Sequence, residues 1–470
     1  MTAQELKNSV LQLAIQGKLV EQRPEEGTAE DLVIRLLKKK HELEKNLKIY
    51  KKSKTKPFYD PSELEEINIP KSWQWVQLSD VSIIQEGAGI RKWQYRTKGI
   101  QILCVTNILE DSIDLKKKEL YISKEEYLEK YQHLTLNKGD IVTSCSGGSW
   151  GKIAFFDCDE TLMLNTSTLR LRFFGDIANN NYLYYVCKSS FFKKQLTLQL
   201  SGMQPNFGYA HYSRIMIPLP PLKEQKRIVA KIEEIFPHIE RFGELRSQLK
   251  NISEDLRKSI LQQAIQGKLV EQRPEEGTAE ELYRQIQSEK AKLLKAGKIK
   301  KEKPLPEITE DEIPFEIPET WKWVKLGNIV QISTGKKDAN QGCENGQYPF
   351  FTCSQDCIKS NTFSFDGECL ICPGNGANVG LTIYFSGKFE AYQRTYVLEK
   401  ILSSSNMQYL KMAMDWNWKQ YNADKLYGSA IPYIKLGNLQ NYLFPLPPLE
   451  EQKRIVEKVK ELLLLCDKLK

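Results

Sequence analysis

The chain has 470 residues, 41% hydrophobic and 27% charged, with 68 Lys+Arg against 60 Asp+Glu and hence a net charge of +8. At about 100–200 residues per domain this is two to four domains, and the apolar content excludes a wholly disordered chain. The basic excess permits a polyanionic partner, no apolar run approaches the ~18–20 residues of a membrane helix, and the N-terminus has no signal-peptide layout, so a cytoplasmic protein with reduced thiols is expected.

In chain order, residues 9–32 read SVLQLAIQGKLVEQRPEEGTAEDL. This predicts a helix, a turn through the Gly-Lys-Leu-Val-Glu-Gln-Arg-Pro-Glu-Glu-Gly stretch, and a second helix over 29–52 capped by Thr28 with Asp31. Residues 35–57 hold ten Lys/Arg and two acids, which fits a solvated helix face leading into a linker or a phosphate-contacting surface. Pro57, Pro61 and Pro70 mark that linker, and IPKSWQWVQL (69–78) follows. There Trp73 and Trp75 fall on strand-period spacing and are read as core anchors rather than base-stacking platforms. Residues 71–217 carry short β-type runs (Ile100–Val105, Asp140–Thr143, Lys152–Phe156, Thr168–Phe173) and short helices at 123–130 and 179–196. PLPPLKEQKRIVAKI (218–232) then opens a long apolar-periodic stretch over 222–269, an amphipathic helix or coiled-coil seam. Pro237 and Gly243 predict a kink or break near Phe236.

From there the chain repeats itself. Residues 259–282 match 9–32 at all but three of 24 positions, at offset 250. Thr278 and Glu281 predict a capping box for a helix over 279–296, and its Lys-rich continuation, 284–303, holds eight Lys/Arg and two acids. Pro304, Pro306, Pro314 and Pro318 form a second linker. IPETWKWVKL (317–326), with Trp321 and Trp323, echoes the first lead-in at offset 248, and PLPPLEEQKRIVEKV (445–459) echoes the first exit at offset 227. Between them, 319–444 has strands at Glu368–Cys372, Leu381–Phe385 and Thr395–Leu398 and a helix at 406–420. At these offsets Lys470 maps onto position 243 and Met1 onto position 251. The repeat is therefore a circle of two half-units cut inside one of its two long helical segments, with a gap matching 244–250.

Catalytic and cofactor motifs are missing from the sequence. There is no Walker loop and no HExxH, no GxSxG and no methyltransferase Asn/Asp-Pro-Pro-Tyr/Phe tetrad. The four histidines (His41, His133, His211, His238) are scattered. The run 374–380 is Gly-rich, but no long helix pattern follows it to hold a phosphate. Cys353, Cys357, Cys369 and Cys372 loosely mimic a zinc spacing. Positions three apart on a strand face opposite sides, so these are read as thiols, with no metal and no cofactor. What remains is polar and basic loop material. Arg91-Lys92-Trp93-Gln94-Tyr95-Arg96 interleaves cations, amides and aromatics, and Arg and Gln can read guanine and adenine edges. Ser144, Ser146, Ser149 and Lys152, with Asn107, offer hydroxyl, amide and cationic donors. The second region supplies Lys336, Lys337, Ser354, Gln355, Asn375, Asn378 and Arg394 in comparable places.

Two half-repeats running from Ile-Pro-x-x-Trp-x-Trp to Pro-Leu-Pro-Pro-Leu-x-Glu-Gln, framed by Ser-Ile-Leu-Gln-x-Ala-Ile-Gln-Gly-Lys-Leu-Val, resemble the specificity subunits of type I restriction–modification enzymes along essentially the whole chain. The resemblance implies an α+β fold with two mixed α/β target recognition domains, 69–217 and 317–444. These are joined by long antiparallel coiled-coil helices (1–68, 218–316 and 445–470) in a pseudo-twofold circular arrangement. It implies that each recognition domain reads half of a split, asymmetric target in double-stranded DNA. It also implies that the conserved helices, through Leu11, Ile15, Ile228, Ile232, Leu256, Ile260, Ile455 and Val459, dock two methyltransferase subunits, which use S-adenosylmethionine. Restriction subunits that translocate and cut DNA with ATP would join them, and the chain itself would do no chemistry. Two readings of other classes stay open from the residues alone, a stand-alone DNA-binding regulator and a structural coiled-coil scaffold.

Overall fold

The computed structural model describes residues 1–46, 56–58, 68–200, 205–300, 303–354 and 356–469. The chain divides into two compact units, Met1–Leu245 and Arg246–Lys470, and each repeats the same frame.

In the first unit, helix α1 (Ala3–Ile15) opens on a capping box between Thr2 and Glu5. A turn leads into α2 (Ala29–Asn46). The strands are β1 (Gln74–Gln77), β2 (Ser82–Glu86), β3 (Ile100–Leu103), β4 (Tyr121–Ile122), β5 (Ile141–Ser144), β6 (Ile153–Phe155), β7 (Leu162–Leu164), β8 (Thr168–Phe173) and β9 (Met216–Leu219). Helices α3 (Asn180–Lys188) and α4 (Ser190–Thr197) precede β9, and α5 (Leu222–Ile265) follows it. The predicted helix at 179–196 is thus two, parted by Ser189, whose backbone is extended. The lead-in strand β1 pairs antiparallel with the exit strand β9, so both ends of the intervening region close on one ribbon. Between them lie an antiparallel sheet in the order β2-β8-β5-β6 and a smaller sheet β4-β3-β7 with a parallel β3–β7 pair. Successive residues of β5 enter different cores: Ile141 packs with the helices, Val142 between the sheets.

The second unit has α6 (Ala279–Lys295), then β10 (Lys322–Lys325), β11 (Val330–Thr334), β12 (Tyr348–Phe351), β13 (Ile358–Ser360), β14 (Phe365–Pro373), β15 (Ile383–Ala391) and β16 (Thr395–Lys400). It ends with α7 (Met407–Tyr421), β17 (Leu443–Leu446) and α8 (Leu449–Asp467). Here β10 pairs with β17, and one six-stranded sheet runs β11-β16-β14-β15-β12-β13. Strands β14 and β15 are nine residues each, longer than their apolar cores predicted. Ladder pairing carries them past their apolar stretches through Gly367 and Gly387, which stand opposite each other.

The sequence expectation of a break near Phe236 is not met. Helix α5 is continuous through Pro237. A mid-helix proline forfeits one backbone hydrogen bond, but Phe236 and Ile239 on either side are buried in the first core and hold the chain helical. The boundary between the two units falls inside this helix.

The repeated motifs are explained by repeated contacts. Trp73 Nε1 donates to Glu224 Oε2, and Trp321 Nε1 to Glu451 Oε2, each at 2.9 Å. Gln22 and Gln272 donate to the other oxygen of the same carboxylates. Arg227 grips Glu26 with two parallel bonds of 2.9 and 2.7 Å, and Arg454 grips Glu276 at 2.8 and 2.7 Å. Gly17 (φ +67°) and Gly267 (φ +69°) sit where an added Cβ would lie 2.4 Å from Pro70 and Pro318 respectively. The Gln-Gly-Lys turn is therefore seated directly on the Ile-Pro lead-in. The Arg227 hydrogen bonds hold the Glu26 carboxyl below its ordinary range. Burial pushes the Glu224 and Glu451 carboxyls up, against the pull of their indole and amide donors.

Glu224→Ala and Glu451→Ala each strand a buried indole N–H and a side-chain amide. Each is expected to destabilise the protein by about 1–3 kcal/mol, read as a lower denaturant midpoint. Because the geometry is duplicated, the two losses should be similar; a negligible loss at either position would show that the clamp is ornamental.

Candidate nucleic-acid interface

Strand register brings the variable loops of each unit to one end of its sheets. In the first unit β2 ends at Glu86 opposite Leu169, β5 ends at Ser144 opposite Thr168, and β3 and β7 end together at Leu103 and Leu164. The loops 87–99, 104–107, 145–152 and 165–167 therefore leave from the same edge. Backbone bonds tie them together: Gly87 N to Thr168 O (3.1 Å), Cys145 N to Ser167 O (2.8 Å) and Gly147 N to Pro205 O (3.1 Å). The second unit repeats the plan with Gly335 N to Thr395 O (3.2 Å), Gly374 N to Arg394 O (2.9 Å) and Gly376 N to Pro432 O (2.8 Å).

On this common scaffold the displayed chemistry differs. In the first unit Arg91, Lys92 and Arg96 are exposed around Trp93, which is 73% exposed. The Arg96 guanidinium donates to the Trp93 and Tyr95 carbonyls (2.8 and 3.0 Å), which folds the segment into a tight cationic knob. Tyr95, Ser146, Ser149 and Lys152 are half-buried. In the second unit Lys336, Ser354 and Arg394 are exposed, and Lys337, Asn375 and Asn378 are half-buried. Lys337 turns inward: its ammonium bonds Ser360 Oγ (3.1 Å) and Thr362 Oγ1, and lies 3.6 Å from the Glu390 carboxylate, itself 1% exposed. Asn378 spends its amide on the Cys353 carbonyl (2.8 Å). Gln355 lies outside the described residues.

Three of the predicted contact residues are placed in the interior. Gln94 is buried with its amide on Glu126 and Tyr131, and its carbonyl caps Arg91 N. Asn107 bonds Cys104 N and the carbonyls of Asp114 and Lys118. Ser144 donates to the Ser149 carbonyl. These side chains shape the loops, and their own hydrogen-bonding groups are engaged. Loop composition reveals polarity but not direction, which is why the sequence could not separate them from Arg91 or Lys92. The apolar helix residues need a similar correction. Leu11, Ile15, Ile228, Ile232, Ile260, Ile455 and Val459 are all buried within their own unit, and only Leu256, at 42%, is exposed. Helical period identifies an apolar stripe without saying what covers it. Sequence reasoning places Trp93 within the Arg91–Arg96 run without naming it as a contact, and it misses the loop 427–433, whose Tyr-Gly-Ser-Ala-Ile-Pro-Tyr string carries a turn signal.

No reactive centre is assembled at these loops among the described residues. Burial pushes the Cys145 thiol up to about 12. Cys369 and Cys372 face the two different cores on either side of β14 and are likewise pushed up to about 12. Cys353 is half-buried and Cys357 exposed. Among the described residues, no three His, Cys, Asp or Glu side chains gather as metal ligands, and no helix is long and apolar enough to cross a membrane.

The family profile described as "Type I restriction modification DNA specificity domain" matches residues 70–251 and 318–470. The chain belongs to this family. Each matched stretch holds the lead-in strand, the loop-bearing sheets and the exit helix of one unit. The type I restriction enzyme EcoAI specificity subunit of Escherichia coli is 28% identical over 99% of this chain and 90% of its own length. The EcoDI specificity subunit of Escherichia coli is 40% identical over 32% of each chain. A solved structure from work on complex assembly and conformational transition of the type I R-M system shares the fold, with a TM-score of 0.58 at 20% identity, over 85% of this chain and 92% of that one. Specificity subunits of type I systems are non-catalytic, and catalysis lies in partner subunits. The chain is thus a specificity subunit of this family, with two specificity domains and a role in DNA recognition.

Proposed function

We propose that the two loop faces read the two halves of one split, asymmetric target in double-stranded DNA, the first through 69–217 and the second through 317–444. The observation that carries this reading is the pairing of a duplicated frame with unlike loops. Trp73–Glu224 and Trp321–Glu451 match in kind and distance, whereas Arg91-Lys92-Trp93 and Lys336-Lys337-Asp338 offer different chemistry at the same strand end. Exposed arginines and lysines supply the phosphate contacts that position a duplex, and base-edge contacts then specify sequence. The conserved helices pair as an antiparallel coiled coil relating the two readers by an approximate dyad and setting the distance between half-sites. They dock two methyltransferase subunits, with restriction subunits joining the assembly in the cytoplasm.

Mapping methylated bases in the host genome with and without this chain tests the proposal. Loss of a single motif made of two short words around an unread spacer is expected on deletion; a motif that is one continuous word overturns it.

A further inference from the structure

In the second unit a small apolar loop is tied to the Gly374–Gly376 loop, near the cations Arg394 and Lys435. Tyr427 and Tyr433 form an antiparallel bridge, each N–H donating to the other's carbonyl at 2.9 Å. Their rings lie 5.6 Å apart, tilted by 30°, with the Lys435 ammonium 3.9 Å from the Tyr427 ring centre. The loop they close, Gly-Ser-Ala-Ile-Pro, is held on both sides. Gly428 adopts φ +83°, and the Pro432 carbonyl accepts from Gly376 N. Ile431, placed just before that proline, has restricted backbone freedom, and its side chain is 60% exposed. Arg394, Lys435 and Asn375 line a cleft that the loop borders through Tyr433.

A β-branched aliphatic side chain held rigid in water amid cations either packs against its own chain or meets an apolar partner that arrives later. At 60% exposure the Ile431 side chain is mostly uncovered by its own chain. A partner that is anionic outside and apolar inside describes a base step between two phosphate strands, and small apolar side chains serve elsewhere as wedges that part such steps. The preset geometry lowers the entropy that insertion would cost. Around Ile431 the loop carries only one side chain able to hydrogen-bond, that of Ser429, so its tip acts by shape.

We infer that Ile431 is a wedge that enters the duplex at the half-site of the second unit and unstacks one base step, with Arg394 and Lys435 holding the flanking phosphates. This rests on the DNA-reading proposal above. The test uses the full chain assembled with its methyltransferase subunits and duplexes carrying 2-aminopurine at each successive step of the mapped target. Wild type should raise fluorescence at one step in the second half-site, distinct from the base that is methylated. Ile431→Ser should lose that rise while the signal at the methylated base persists, and Ile431→Phe should keep it. Retention of the rise in Ile431→Ser, or no such step in wild type, overturns the wedge and leaves DNA reading intact. A dependence on a thymine methyl with no unstacking also overturns it. Failure of the wild-type assembly to retain the duplex at all removes the DNA-reading proposal and the wedge with it.

Discussion

Replacing Arg91 and Lys92 together by alanine should leave the protein folded and sharply weaken its hold on DNA. Both side chains are exposed, and surface substitutions away from structural contacts usually change stability little. Each phosphate contact releases about 0.9 of a counterion, so losing two should make the salt dependence of binding shallower by about 1.8 in log K against log salt. Titrating duplex with the assembled complex at several salt concentrations reads this directly. An unchanged slope would mean that these cations do not face the backbone. Arg96 is a poorer probe, since its guanidinium holds the Trp93 and Tyr95 carbonyls and its removal loosens the knob it belongs to.

The second unit separates the same two effects onto neighbouring lysines. Lys336 is exposed, and its replacement by alanine should act on DNA alone. Lys337 offsets the buried Glu390 carboxylate and bonds two hydroxyls. Lys337→Ala should therefore cost about 1–3 kcal/mol of stability, the usual penalty for stranding a buried polar partner. A DNA-binding defect from Lys337→Ala is interpretable only beside its unfolding curve.

This pair also shows where sequence reading stops. The repeat, the lead-in and exit motifs and the short strands were legible because each is a local pattern with a fixed physical cause. Leu169–Phe173 alternates in burial as a strand should, and Glu224 recurs at Glu451 because each must meet a tryptophan. The inward turn of Gln94, Asn107, Ser144 and the half-buried Lys337 was not legible. Gln94 and Lys337 are turned by Glu126 and Glu390, far off in sequence, and Asn107 and Ser144 by nearby loop backbone whose path no local period reports. The helix residues fail for a related reason. Ile228 and Ile455 belong to an apolar stripe, but the repeat places α1, α3 or α7 over it, leaving a smaller exposed set on α5, among them Leu245, Leu249, Ile252 and Leu256.

Inserting four residues into α5 between Glu244 and Lys250 should lengthen the unread spacer of the target by two base pairs while both half-site words stay the same. The location matters. Residues 244–250 are exposed, they match the gap in the repeat arithmetic, and the unit boundary falls among them, so an insertion there spares both cores. Four residues add about 6 Å of helix and just over one turn, which keeps the apolar stripe on nearly the same side. Two residues would turn it to the opposite face. Six ångströms is close to two base pairs at about 3.4 Å each. Those two pairs also rotate the duplex by about 70° at ~10.5 pairs per turn, a twist the DNA or the reader loops must absorb, so some loss of affinity should accompany the longer spacer. Methylation mapping of the variant decides the matter. A longer spacer with unchanged words makes the helix the ruler, and an unchanged spacer means the distance is set elsewhere, by the docked subunits or by the DNA itself.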